Sequence, residues 1–186
     1  MKKWKRLNSE VVFSHRKFNL TRYSLELPNG NIADDYYVVE ENDIGEVFAI
    51  TQDNFVIFVE QYKHGINDIT LELPAGLFND KNGSPLVEAR REFLEETGYD
   101  AESYHYIGAF VQNPTRLSNK IHLFLAINAH KVGEQSLDTT EEIQVHLIQL
   151  DNIYSLIKSG KIDAVGSVAG IFIALENLPK IRQKFE

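Results

Sequence analysis

The segment SPLVEARREFLEETG, at residues 84–98, constrains the fold of this chain more than any other stretch of the sequence. Ser84 is a typical helix N-cap, and Pro85 suits the first helical position. Gly98 suits the left-handed conformation that ends many helices. These signals together predict a helix from about 85 to 97.

The predicted helix separates charge from apolar surface, because successive helical residues lie about 100° apart around the axis. Its acidic face consists of Glu88, Glu92, Glu95 and Glu96. Its apolar side consists of Leu86, Val87, Ala89, Phe93 and Leu94, with Arg90 as an intrusion. This pattern predicts that the apolar side packs on a sheet and that the acids point in one defined direction.

Two explanations of the acidic face are open from the helix alone. Acidic residues are common on solvated helix faces, and Arg91 can pair with Glu95 one turn later. Alternatively, the carboxylates are hard oxygen ligands gathered for a divalent cation such as Mg²⁺. The preceding residues 71–85, LELPAGLFNDKNGSP, favour a cation, because a Pro-Ala-Gly turn would bring backbone carbonyls close to the acids.

Strand patterns dominate the rest of the chain. Residues 11–39 alternate apolar and polar side chains around Asn29-Gly30, which predicts an antiparallel hairpin with a type I′ turn. Further strands are predicted at 46–51, 55–62, 69–74, 106–111, 120–130 and 143–150. The polar loops at 112–119 and 131–142 are the predicted places for binding or catalytic groups.

The C-terminal part predicts two helices, one from Asp151 to about Gly160 and one beginning near Ser167. Hairpins outnumber regular strand-helix alternation, which favours an α+β fold with a mixed sheet over a doubly wound fold. At 186 residues, we expect one compact unit with a terminal extension. Neither glycine-rich phosphate-loop pattern is present in the sequence.

The composition excludes several classes of function. The net charge of −8, from 19 basic and 27 acidic residues, argues against broad binding to nucleic acid or to an anionic membrane. The absence of cysteine excludes disulfides, thiolate zinc sites and a cysteine nucleophile. No apolar run is long enough to span a bilayer, so we expect a soluble cytoplasmic protein.

Residues 71–99, LELPAGLFNDKNGSPLVEARREFLEETGY, closely resemble the signature of the Nudix hydrolases. The family pattern is filled by Gly76, Arg91, Glu92, Phe93, Glu95, Glu96, Gly98 and Tyr99. Gly83 stands where the family has its first glutamate, and the loop before it is one residue longer. Asp80 and Glu88 are the candidates to replace that glutamate.

Other segments look like the ADP-ribose pyrophosphatase branch of this family. They are FVEQYKHG (58–65), ELPAG (72–76), SNKIHLFLA (118–126) and EEIQVHLIQLDNIYSLIKSGKID (141–163). The resemblance implies a Nudix fold, in which a mixed sheet lies between helices, with an N-terminal antiparallel sheet as an extension. We expect this N-terminal sheet at 1–42 and the Nudix hydrolase domain at 43–186.

The resemblance also implies an oligomeric state, because members of this branch are typically homodimers. Their N-terminal sheet reaches the partner subunit and helps to bind the nucleotide. We therefore expect the N-terminal sheet to be a dimerisation element. The alternative is an ordinary sheet within one monomer.

The implied reaction is hydrolysis of the pyrophosphate bond of ADP-ribose or a related nucleoside diphosphate sugar, giving a nucleoside monophosphate and a sugar phosphate. Mg²⁺ is the implied cofactor, with Mn²⁺ as a substitute. The implied metal ligands are Glu92, Glu95, Glu96 and the carbonyl of Ala75. By the same resemblance, Arg91 orients Glu95 rather than touching substrate.

The implied general base is a glutamate of the late loop, where Glu141 and Glu142 are both candidates. Substrate contacts are implied for Lys63, Glu72 and Arg116. The histidines show no metal-ligand spacing. His122 and His146 lie in apolar strands, where core or structural roles are expected.

Two further hypotheses are compatible with the same residues. Gly83 and the lengthened loop also fit a catalytically weak module that binds or senses nucleotide sugars. The acidic face also fits a purely structural role without a metal site.

Overall fold

The computed structural model describes residues 1–78 and 83–183, which form two compact units. The N-terminal unit consists of Met1–Asp43 and Val111–Lys120. The larger unit consists of Ile44–Phe110 and the chain from Ile121 onward. A short segment late in the chain therefore clusters with the N-terminal residues rather than with its neighbours in sequence.

Three antiparallel strands build the N-terminal unit. They are β1 (Lys5–Ser14), β2 (Phe18–Glu26) and β3 (Ile32–Glu41), and β2 lies in the middle. The predicted N-terminal antiparallel sheet is confirmed.

The turn between β2 and β3 is not the predicted type I′ turn. The N–H of Gly30 donates to the carbonyl of Leu27 over 2.9 Å, and of the Asn29-Gly30 pair only Gly30 has a positive φ, at 85°. Pro28 explains the difference, because its ring holds φ near −65° and starts a type I turn. Gly30 then completes the loop in the left-handed conformation.

A mixed sheet of seven strands forms the centre of the larger unit. Its strands are β4 (Ile44–Ile50), β5 (Phe55–Lys63), β6 (Asp68–Glu72), β7 (Ala75–Leu77), β8 (Tyr99–Val111), β9 (Lys120–Lys131) and β10 (Ile143–Gln149). The order is β10-β5-β4-β9-β8, with β6 beside β5, β7 beside β4, and β4 parallel to β9. β8 begins at Tyr99 rather than at 106, because its polar first half hides the strand from an apolar pattern.

Helices cover both faces of this sheet. They are α1 (Pro85–Thr97), α2 (Ile153–Lys158) and α3 (Val165–Arg182), with a 3-10 turn at Leu150–Asn152 before α2. On β4, Val47 and Ala49 pack toward α1, whereas Phe48 and Ile50 pack toward α3, because side chains alternate along a strand. The predicted α+β fold, a mixed sheet between helices, is confirmed.

The C-terminal helices differ in detail from the prediction. Asp151 lies within the 3-10 turn, so it does not cap α2. α3 begins at Val165 and continues past Pro179 to Arg182. Among the helices that the structure describes, none is long and apolar enough to span a bilayer.

α1 has the predicted limits but turns a different side toward the sheet. Gly98 ends it at φ 72°, with its N–H bonded to the carbonyl of Leu94, although the Ser84 side chain makes no capping bond. Its buried residues are Glu88, Ala89, Phe93, Glu96 and Thr97, whereas Leu86, Val87 and Leu94 are exposed. The predicted packing side is therefore wrong: α1 packs through the border between its apolar and acidic faces.

Two glycines of the sheet explain this orientation. Gly45 of β4 admits the methyl group of Ala89, because a Cβ at position 45 would lie 2.7 Å from the Cβ of Ala89. Gly76 of β7 admits Glu92 in the same way, because a Cβ there would overlap the carboxyl group. The helix therefore approaches the sheet most closely where its acids begin.

Candidate active site

Glu96 is the most buried acid of the helix face, at 6% exposure. Its Oε2 accepts a hydrogen bond from the N–H of Ala75 over 3.2 Å. Burial, with the charge of Glu92 as the next cause, raises the pKa of Glu96 to about 8, against the opposing charge of Lys63. Glu96 therefore points from α1 toward the start of β7. Its buried position disfavours the ionised form, and the charge of Lys63 offsets this only in part.

Arg91 contacts three acids at once. Its guanidinium donates to Glu95 over 2.6 Å, to Glu92 over 2.5 Å and to Glu88 over 3.2 Å. Burial still raises the pKa of Glu92, although Arg91 lowers it. The predicted contact of Arg91 with Glu95 is present, but the same guanidinium also holds two further carboxylates.

The backbone that passes from β6 to β7 lies against this acidic face, and Ala75 and Gly76 belong to strand β7 rather than to the predicted tight turn. We call this junction, Leu73-Pro74-Ala75, the Ala75 turn. The carbonyl of Pro74 accepts the N–H of Val47 over 3.0 Å, and the N–H of Ala75 is bonded to Glu96. The structure thus brings Ala75 beside Glu96, as the sequence predicted.

Lys63 and Glu72 form an ion pair next to these acids. Lys63 Nζ lies 2.8 Å from Glu72 Oε1, which also accepts a hydrogen bond from Gln61 over 3.0 Å. The charge of Lys63 lowers the pKa of Glu96, so Lys63 acts on the acidic cluster as well as on Glu72. Both side chains therefore stand beside the acids of α1, and their contact with substrate stays a prediction.

The late loop, residues 132–142, is attached to the end of α1. Ser136 donates its N–H to the carbonyl of Glu95 over 2.9 Å. The Gln135 amide donates to the carbonyl of Glu96 over 2.6 Å and to that of Ile143, the first residue of β10, over 3.0 Å. Two of these bonds satisfy carbonyls at the end of α1 that have no partner within the helix. Together with the bond to Ile143, they attach the loop to both α1 and β10.

The two candidate bases on this loop are both exposed, but they differ in their contacts. The charge of Glu141 raises the pKa of both Glu92 and Glu96. The Oε2 of Glu141 accepts the N–H of Asp138 over 2.9 Å, which orients the side chain. These contacts favour Glu141, and the choice between the two glutamates stays a prediction.

The remaining predicted residues are Arg116, Asp80 and Glu88. Arg116 belongs to the N-terminal unit, where its carbonyl accepts the N–H of Val39 over 2.8 Å and its side chain is exposed. Its contact with substrate stays a prediction. Asp80 lies outside the described residues. Glu88, the other candidate for the missing glutamate, is 8% exposed and lies against Arg91.

The donor set has the chemistry of a site for a hard divalent cation. Glu92, Glu96 and the backbone of Ala75 offer oxygen atoms, which Mg²⁺ prefers over nitrogen or sulfur. Burial first, and the charge of Glu92 second, raise the pKa of Glu96, and a bound cation would offset both effects. Within residues 1–78 and 83–183, no three acidic or histidine side chains converge closely enough to hold an ion as they stand.

The two strand histidines have partners of their own. His122 is half-buried and stacks on Tyr106 with ring centroids 5.9 Å apart. Of the two roles expected for His146, a place in the core is not observed, because 41% of its side chain is exposed. Its Nε2 lies 3.2 Å from Glu60, a contact between β10 and β5 that fits the structural role.

Sequence reasoning missed a second polar group behind the Ala75 turn. Glu46 of β4 is 4% exposed, and burial raises its pKa to about 7 against a hydrogen bond from Ser167. The only local signal is a lone glutamate in the apolar segment GEVFAI, at residues 45–50. Gln135 carried no signal, because its partners are backbone carbonyls of two other elements.

Comparison with known proteins agrees with this geometry. The NUDIX domain matches residues 45–165, a range that contains α1, the Ala75 turn and Glu141. The chain is 32% identical over 178 residues to the methanol dehydrogenase activator of Bacillus methanolicus, which covers 95% of each chain. It is 31% identical over 159 residues to the ADP-ribose pyrophosphatase of Bacillus subtilis (strain 168), which covers 85% of each chain.

The fold has a close counterpart among solved structures. A crystal structure of an ADP compounds hydrolase superposes with a TM-score of 0.82 over 97% of this chain and 96% of the other. The two sequences are 21% identical, so this likeness concerns the fold.

Proposed function

Since this chain belongs to the Nudix family, we propose that it hydrolyses the pyrophosphate bond of ADP-ribose or a related nucleoside diphosphate sugar with Mg²⁺. The predicted pyrophosphohydrolase activity is confirmed at the level of the family. The products are a nucleoside monophosphate and a sugar phosphate. The observation that carries the proposal is that the acidic face of α1 points inward, where Glu96 contacts Ala75.

In the proposed site, Glu92, Glu96 and the carbonyl of Ala75 hold Mg²⁺ or Mn²⁺, and Glu95 supports them. When bound, the ion neutralises charge on the diphosphate and makes a bound water more acidic. Arg91 holds Glu95 in place from the same turn of α1. Glu88 supplies the carboxylate beside Arg91 that Gly83 cannot supply.

The remaining steps fall to side chains around the acids. Glu141 accepts a proton from the attacking water, whose oxygen forms the new bond to phosphorus. The bridging oxygen leaves with the other phosphate, so one water molecule yields two monophosphates. Lys63 offsets charge on the diphosphate, and Glu72 orients Lys63 through its 2.8 Å ion pair. The role of Arg116 in binding substrate stays a prediction from the sequence.

A substrate panel tests this proposal. Purified protein with Mg²⁺ should convert ADP-ribose or another nucleoside diphosphate sugar to two monophosphates at about 1–10³ s⁻¹. Product analysis by phosphorus NMR in ¹⁸O-labelled water would identify the attacked phosphorus. ATP serves as a comparator that has no sugar on its terminal phosphate. Release of no monophosphate from any substrate, with Mg²⁺ or Mn²⁺, would contradict the proposal.

A nucleotide-sugar binding or sensing module is the second candidate, and Gly83 is the observation in its favour. The same panel separates the two functions. Calorimetric binding of a nucleotide sugar without turnover supports the module, whereas turnover supports the enzyme. The module hypothesis rests on the loss of a carboxylate at Gly83. The Glu88–Arg91 contact favours the enzyme, because Glu88 provides a carboxylate beside Arg91.

We further propose that the N-terminal sheet joins two copies of the chain. β1 is an edge strand whose ten residues are all exposed, including Leu7, Val11 and Phe13. An exposed edge with large apolar side chains favours association with another surface. Light scattering should give a dimer mass, and Val11→Lys should lower it toward a monomer, while the control Asn8→Lys, on the opposite face of β1, does not. A monomer in the unaltered protein would refute the dimer.

Cytoplasmic localisation and the absence of nucleic-acid or membrane partners stay predictions from composition.

A further inference from the structure

Three consecutive residues of the Ala75 turn are each fixed by a different element. The N–H of Leu73 donates to Ser167 Oγ of α3 over 2.9 Å. The carbonyl of Pro74 accepts from Val47 of β4, and the N–H of Ala75 donates to Glu96 of α1. The turn is therefore held from both faces of the sheet at once, since α3 and α1 lie on opposite sides.

Ser167 lies next to two other groups of the interior, the amide of Leu73 and the carboxyl group of Glu46. It is 3% exposed and accepts the Leu73 N–H, so its own hydroxyl proton needs an acceptor in the interior. Glu46, which is 4% exposed, lies against the same helix, because a Cβ at the neighbouring Gly166 would be 3.6 Å from its Oε2. Ser167 also lowers the pKa of Glu46 against burial, which identifies this carboxylate as the nearby acceptor for the hydroxyl proton.

The surface of α3 is shaped to receive Glu46. Gly166 and Gly170 stand four residues apart, on the same side of the helix as one another. A Cβ at Gly170 would overlap the carboxylate of Glu46, and a Cβ at Gly166 would lie 3.6 Å from its Oε2. Packing alone would be served better by an apolar residue, because burying a carboxylate is unfavourable unless its hydrogen bonds are needed.

We propose that Ser167, oriented by Glu46, is a positioning residue that aims the Ala75 carbonyl at the acids of α1. This inference rests on the proposed function, in which that carbonyl is a metal ligand. Pro74 has no N–H, so the Leu73 amide is the last backbone donor before Ala75 itself. Without Ser167, the segment keeps its bond to Val47 but loses its anchor on the α3 side.

The experiment compares Mn²⁺ affinity, measured by electron paramagnetic resonance, among variants of the full chain. Ser167→Ala removes the acceptor for Leu73, and Glu46→Met removes the acceptor for the Ser167 hydroxyl. Both should weaken Mn²⁺ binding by about tenfold, the lower end of the effect of residues that orient metal ligands. Glu46→Gln keeps an oxygen acceptor and should retain most of the affinity.

Ile171→Val is the matched control for a loosened helix. Ile171 is fully buried in α3, and the substitution removes one methylene without touching Ser167 or the turn. Its thermal stability should fall while its Mn²⁺ affinity stays that of the unaltered protein. In hydrolysis assays at saturating Mn²⁺, Ser167→Ala should recover most of its kcat, because a positioning residue acts through the metal.

Two outcomes would overturn the inference in different ways. Equal Mn²⁺ affinity in Ser167→Ala and Ile171→Val would remove the positioning role while leaving the proposed function intact. Failure of the unaltered protein to bind Mn²⁺ in a manner that depends on Glu92 and Glu96 would overturn the proposed function and this inference with it.

Discussion

The Glu96→Gln variant is expected to hydrolyse ADP-ribose with Mg²⁺ about 10³-fold more slowly than the unaltered protein. Glu96 lies at the contact between α1 and Ala75, and in the proposed site it is a main metal ligand. Metal-ion stabilisation of the transition state is worth several kcal/mol, and each 1.36 kcal/mol is a factor of about ten in rate. Initial rates at saturating substrate would measure the loss.

The same variant should remain folded and become less sensitive to pH. The pKa of Glu96 is raised from 4.5 to about 8 in the folded chain, so the unfolded chain loses this proton first as pH rises. Without metal, ionisation of Glu96 therefore destabilises the fold progressively between about pH 4.5 and pH 8. Glu96→Gln removes that contribution, and chemical denaturation across this range should show a shallower decline in the free energy of unfolding.

Glu176→Gln is the matched control for this pair of measurements. Glu176 lies on α3 with 77% of its side chain exposed, so the same change of charge should alter neither turnover nor the pH dependence of stability. Unchanged turnover in Glu96→Gln would remove Glu96 from the catalytic site. If Glu96→Gln loses its circular dichroism signal, the variant is unfolded. The same turnover measurement is then made on Glu92→Gln, because Glu92 lies on the same helix face.

The second large effect is expected at the late loop. Glu141→Gln should lower kcat by about 10²–10⁴-fold with little change in KM, because a general base acts in the chemical step rather than in substrate binding. The side chain is oriented by the N–H of Asp138, and its charge acts on both Glu92 and Glu96. Glutamine keeps the size and a hydrogen-bond acceptor but cannot take up the proton.

Glu142→Gln supplies a control one residue away. In the proposed site Glu142 takes no part in the chemical step, so we expect its substitution to leave kcat within about twofold. Mn²⁺ affinity should be similar in both variants, which separates a base from a metal ligand. A large loss in Glu142→Gln with normal turnover in Glu141→Gln would reverse the assignment of the base.

Several features were predictable because they depend on residues close together in the chain. The limits of α1 followed from Pro85 and Gly98, and the observed helix ends at that glycine. The gathering of acids on one helix face followed from the helical repeat alone. The turn before β3 was predictable only in part, because Pro28 competed with the Asn29-Gly30 signal and determined the turn type.

The orientation of α1 was not predictable from its own sequence. A helical wheel shows which residues share a side but not which side approaches the sheet. That choice depended on Gly45 and Gly76, which lie on two strands and leave room for Ala89 and Glu92. Glu88 and Glu96 are consequently buried, although the apolar side chains of Leu86, Val87 and Leu94 predicted the opposite.

The sequence by itself determined the family, the acidic helix and the type of chemistry, because these reside in a continuous segment with fixed spacing. Only the tertiary structure decided which acids of α1 are buried, and that Ser167 bonds to the Leu73 amide at the Ala75 turn. The Ser167–Leu73 bond joins residues 94 positions apart, and Gln135 joins α1 to β10. Such contacts exist only after the sheet and both helix layers have packed, so no local pattern records them.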